Sequence, residues 1–99
     1  MGKFWRRRTP RPDPDAVRPD LLAWAQVLDV SRLSERTVQQ IEEYLRTYRR
    51  MAEFSREELA FRLVAVIRTE VSPPPPIALR PLDIFGTVLA AWRRQLGTG

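Results

Sequence analysis

Carboxylates, two tyrosines, a handful of hydroxyls and a single lysine, Lys3, are the side chains of this 99-residue chain that could act as acid, base or nucleophile, because it contains neither histidine nor cysteine. Without imidazole or thiol, the commonest general base near neutral pH, the commonest transition-metal ligand and the thiolate nucleophile are missing together. The groups that remain do not form a reactive set. Glu42-Glu43 and Glu57-Glu58 are sequence neighbours, so on a helix they diverge by about 100° and cannot make a facing carboxylate pair. Ser31, Ser34 and Ser55 have no base nearby in sequence and suit helix capping better than nucleophilic attack. The expectation is a protein that is not an enzyme, with no catalytic residues, no cofactor, no metal and no small-molecule substrate.

Binding by charge is the chemistry left, and the charge is unevenly placed. Residues 1–19 carry six basic side chains against two acidic ones, a net +4, whereas residues 20–99 carry eleven arginines against ten acids, a net +1. An anionic partner is therefore met first by the N-terminal arm. Within it, Lys3, Phe4, Trp5, Arg6, Arg7, Arg8 and Arg11 join aromatic rings to a cationic cluster. That combination enters the headgroup region of an anionic membrane. It also stacks on bases and neutralises phosphates of single-stranded nucleic acid, and a solvated tail, with Phe4 and Trp5 folded onto the body, is a third reading. Gly2 does not mark a myristoylation site, since Arg6 stands where Ser or Thr is wanted.

Pro10, Pro12, Pro14 and Pro19 exclude regular helix over most of residues 1–19 and predict a flexible arm ahead of a helical domain at 20–97. The basic start has no apolar run behind it, which argues against export, and no stretch reaches the roughly 18 consecutive apolar residues of a spanning helix. A hydrophobic content of 43% supports one core of modest size.

Four helices are expected. Asp20 caps the first, Leu21 to Val30, which is apolar almost all round and must be covered on most sides. Ser34 caps the second, which runs to about Ala52 with Val38, Ile41, Leu45 and Tyr48 on its buried stripe. Ser55 with Glu58 reads as a capping box opening the third, with Phe54 stapled on Leu59 and Leu59, Leu63, Val66 and Ile67 facing inward. So short a connection between the second and third makes them an antiparallel hairpin. Pro73 to Pro76 ends the third helix and forms an extended strut of roughly 12 Å across the bundle. Pro81 then starts the fourth, Leu82 to Leu96, with Leu82, Phe85, Leu89, Trp92 and Leu96 as its stripe and Gly97 as its stop. The fold class is all-α: a small four-helix bundle with a central antiparallel hairpin, a polyproline strut and an extended basic arm. Trp24 and Trp92 lie on apolar helix faces, as core or as a face for a protein partner or a second copy.

Two resemblances bear on function. Leu28 to Ser31 followed by Ser34 to Ile41 resembles a helix-turn-helix motif, which would bring Arg36, Thr37, Gln39 and Gln40 to a DNA groove. It departs from that pattern where Arg32 and Leu33 enlarge a turn without glycine, and where Glu42 and Glu43 put negative charge on the reading helix. From Leu33 to about Arg94, the order of Ile41-x-x-Tyr44-Leu45, Glu58-Leu59-Ala60, the proline run and Pro81-x-x-x-Phe85 is similar to the cytosolic helical extensions of some bacterial RDD-family membrane proteins. This resemblance implies a cytoplasmic location at the inner face of the membrane and carries no ligand residues. The expectation is thus an interaction or adaptor module beside a membrane, with a nucleic-acid-binding protein as the alternative.

Overall fold

The computed structural model describes residues 19–97, which fold as four α-helices: α1 (Pro19–Val27), α2 (Glu35–Thr47), α3 (Glu53–Glu70) and α4 (Pro81–Gly97). The arm residues Lys3, Phe4, Trp5, Arg6, Arg7, Arg8 and Arg11 lie outside the described residues. No helix among those described is long and apolar enough to cross a membrane.

The hairpin of α2 and α3 forms, and hydrogen bonds at both ends fix its antiparallel sense. At one end Glu70 Oε1, the last residue of α3, accepts from the Ser34 amide ahead of α2 at 3.0 Å; at the other, Arg56 Nη1 in the first turn of α3 donates to the Tyr48 carbonyl at 3.4 Å. Helix α4 packs on all three other helices, and Phe85, Val88 and Ala91 are wholly buried there. Tyr44 of α2 meets the Phe85 ring edge-on, with centroids 5.1 Å apart. The inward stripe of α4 is rotated from the expected one, since Ile84 and Val88 are buried while Leu82 and Leu96 are exposed. With neighbours on three sides, a helix buries more than one three-and-four stripe.

The first helix ends earlier than its apolar run suggests, at Val27 rather than Val30. Asp29 accounts for the break: its Oδ1 accepts from the Ser31 amide at 2.9 Å, a local turn that competes with helix. The Asp29 amide donates to the Ser72 carbonyl at 2.7 Å and the Ser72 amide to the Asp29 carbonyl at 3.1 Å. Leu28 and Val30 stay buried on either side of this two-way bridge.

Ser34 caps α2 as expected, its Oγ accepting from the Thr37 amide at 3.1 Å. Helix α2 then gives way at Tyr48–Arg50 to a 3-10 turn instead of running on to Ala52. Ser55 is not a cap: α3 starts at Glu53, with Ala52 in the N-cap position and no side-chain cap, and the Arg56 amide donates to the Ala52 carbonyl at 2.9 Å. Phe54 thereby falls inside the helix, five residues before Leu59 and about 140° round from it, so the two cannot staple. Leu59 packs on the core and Phe54 points to solvent.

The proline run begins with a cis Ser72–Pro73 peptide bond. It is docked rather than free-standing: the Trp24 indole N–H donates to the Pro73 carbonyl at 2.9 Å, and Pro75 is completely buried.

Candidate functional site

The clearest unpaired surface lies along α3. Ala60, Leu63 and Ile67 of this helix face inward and are buried, the register expected of residues spaced three and four apart. On the far side, Phe54 is 75% exposed and Phe61 76%, seven residues apart and therefore only about 20° from eclipsed around the axis. Helix α3 thus has two apolar faces, and the protein's own core covers one.

Beside the outer face runs a groove of about 550 Å³ between α3 and the segment leading into α4. Its floor includes Tyr44, Leu79 and Ile84, all buried in the core. One wall is α3 with Phe61 and Val64; the other is Ile77 and Leu82, of which Ile77 is 90% exposed. The Pro73–Pro76 run places Ile77 there: anchored to Trp24 at its start, it delivers the chain to a turn closed by the Leu79 amide donating to the Pro76 carbonyl at 3.2 Å. Pro81 then fits the first turn of α4, where a missing amide costs nothing.

Three guanidinium groups edge this groove, from Arg56, Arg68 and Arg80, with Glu57 as the facing carboxylate. Arg80 is paired with Asp83, Nε to Oδ2 at 3.2 Å, on an exposed edge where such pairs contribute little. Among the described residues no carboxylate pairs with Arg68. Burial raises the Tyr44 phenol above its ordinary value, with the nearby Arg56 charge opposing. The Tyr44 hydroxyl is therefore neutral at any physiological pH. The arrangement offers no nucleophile, base or acid set to a substrate, and no group of three or more acidic residues among those described gathers to hold a metal ion. What it presents is an apolar floor edged by arginine side chains.

The other sequence-derived positions are dispersed. Trp24 is 4% exposed with its N–H satisfied, so it belongs to the core and not to a partner face. Trp92 is half-buried against the core and borders a shallow recess of about 340 Å³ with Val30, Leu33 and Leu96. Arg36, Gln39 and Gln40 are exposed and line a second groove, about 620 Å³, shared with Leu59, Arg62 and Val66 of α3. Thr37 does not join them. It is 3% exposed and its Oγ1 accepts from Ser34 Oγ at 2.9 Å, which removes it from any nucleic-acid contact. The helix-turn-helix likeness also loses its usual packing, because α1 packs against α4 and the turn residue Asp29 is bound to Ser72.

The groove residues Phe61, Arg68, Ile77 and Arg80 were not singled out by motif. A signal existed for the first: Phe54, Phe61 and Ala65 share one side of α3, opposite Leu63 and Ile67. Compared with known proteins, the chain matches no protein-family model, no curated protein and no solved structure.

Proposed function

We propose that this protein is a non-enzymatic helical adaptor that works at the cytoplasmic face of a membrane, its arm drawn to the anionic surface while its body holds a protein partner. The observation that carries the reading is the uncovered outer face of α3 and the groove beside it, where Phe61 and, across the groove, Ile77 stand in solvent near Arg56, Arg68 and Arg80. Large apolar side chains grouped on a monomer surface and rimmed by charge mark contact sites. The arm's share rests on its sequence: four cations at Lys3, Arg6, Arg7 and Arg8, at about 1 kcal/mol each near an anionic bilayer, give roughly 4 kcal/mol of reversible attraction. The cytoplasmic location is the one implied by the resemblance to the cytosolic extensions of RDD-family proteins.

The test is co-sedimentation of the full chain with vesicles. Binding is expected to vesicles containing phosphatidylserine and not to neutral ones. Joint substitution of Arg6, Arg7 and Arg8 by Ala should abolish it. Absence of binding at low ionic strength would remove the membrane from the proposal.

A further inference from the structure

We infer that the groove between α3 and residues 77–82 is the seat of an acidic amphipathic helix, about three turns long, contributed by a partner protein. The inference rests on the adaptor reading for the existence of a protein partner, and is independent of whether the arm meets a membrane.

The length follows from the groove's own positive ends. Arg56 and Arg68 both line it and are twelve residues apart on α3, a separation of about 18 Å at 1.5 Å per residue. A helix laid along α3 between them spans about twelve residues. The apolar requirement follows from the floor: Tyr44, Leu79 and Ile84 lie below the projecting Phe61 and Ile77. They are reached only by side chains directed downward from a narrow element. A helix with large apolar residues three and four apart supplies such a row.

Charge selects the flanks. Arg80 is held by Asp83, but among the described residues Arg56 and Arg68 have no paired carboxylate, and Glu57 is the one acidic side chain lining the groove, so an occupant with glutamate or aspartate along its polar edges gains at both ends. The same excess disfavours a second copy of this chain, because a two-fold pairing of this face would set two positive surfaces together. A bilayer is anionic but flat; it would cover Phe61 and Ile77 and leave the floor unfilled.

The experiment is an anisotropy titration of the full-length protein into a labelled peptide of about twelve residues, with leucines three and four apart and glutamates flanking them, alongside a counterpart carrying lysine for glutamate. The glutamate peptide is expected to bind at least tenfold more tightly than the lysine peptide. Phe61→Ser should weaken it at least tenfold, and Arg68→Glu should erase the preference for glutamate. Both residues sit on the outer side of α3, so circular dichroism melts of the two variants should match the parent. Joint replacement of Arg6, Arg7 and Arg8 by Ala should leave the preference intact, which separates this site from the arm: loss of vesicle binding in that variant with retained peptide binding defeats neither proposal.

Four results would overturn the inference. One is no binding of the glutamate peptide, and another is equal affinity for the two peptides. A third is peptide binding that survives both Phe61→Ser and Arg68→Glu. The fourth is a different occupant, recognised either as a concentration-dependent dimer that Phe61→Ser dissociates or as vesicle binding that Phe61→Ser and Arg68→Glu abolish.

Discussion

Helices α3 and α4 are nearly equal in length, 18 and 17 residues, and each carries apolar side chains on more than one side. Their fates differ because of what surrounds them. Helix α4 is flanked by α1, α2 and α3, and Phe85, Val88 and Ala91 lose all contact with water. Helix α3 packs on α2 and α4, and among the described residues no helix covers its remaining face, with Phe54 and Phe61. The same kind of residue therefore stabilises the fold in one helix and is left exposed in the other. Apolar pattern alone does not separate these roles; the number of neighbours does.

The contrast can be broken most directly by truncating one phenylalanine from each helix. Phe85→Ala removes a fully buried ring that also packs edge-on against Tyr44, and should cost about 3–5 kcal/mol in urea unfolding. Phe61→Ala should change stability by no more than about 0.5 kcal/mol, as an exposed position does. Equal losses would show that α3's outer face is covered.

Two polar contacts sharpen the picture of how the shared core is held. Trp24→Phe keeps most of the ring but removes the hydrogen bond to the Pro73 carbonyl; a loss of about 1–2 kcal/mol is expected in thermal melts. Ser34→Ala deletes the α2 cap and the hydroxyl partner of buried Thr37, and should cost about 1 kcal/mol by the same measurement.

Smaller effects are expected at exposed positions. Gly86 lies in the interior of α4, and a methyl group added there meets no atom within 4 Å. Gly86→Ala should therefore stabilise the protein by about 0.5–1 kcal/mol through helix propensity, visible as a raised melting temperature. At Asp29 the Ser31 amide and hydroxyl, and then Arg32, hold the carboxyl below its ordinary value. A depressed folded value adds stability above the ordinary carboxylate range and loses it as pH falls below about 4. Asp29→Asn should flatten that acid limb in melts recorded from neutral to acid pH, and an unchanged slope would remove Asp29 from the acid response.

The parts of this fold legible in sequence are those decided locally. Ser34 announces α2 because its cap partner is three residues away, and Pro81 announces α4 because proline suits a first turn wherever it occurs. Other positions depended on distant chain. The end of α1 at Val27 was only half local: the Asp29–Ser31 turn lies just beyond it, but the bridge from Asp29 reaches Ser72, more than forty residues on. Ser55 and Glu58 form a sound capping pattern, yet after the 3-10 turn the helix begins three residues sooner, with Ala52 in the cap position. The burial of Trp24 needed the Pro73 carbonyl, 49 residues away. For the candidate site, the aromatic half was readable as a second face on α3, while Ile77 and Arg80 came to it only through the course of the chain after Pro76.

The junction of Trp24 with Pro73 has a mechanical meaning. Everything ahead of Pro19 is tethered through α1, and the far wall of the groove follows within a few residues of the same carbonyl. Helix α1 and that wall thus share one fastening, and loosening it would disturb both at once.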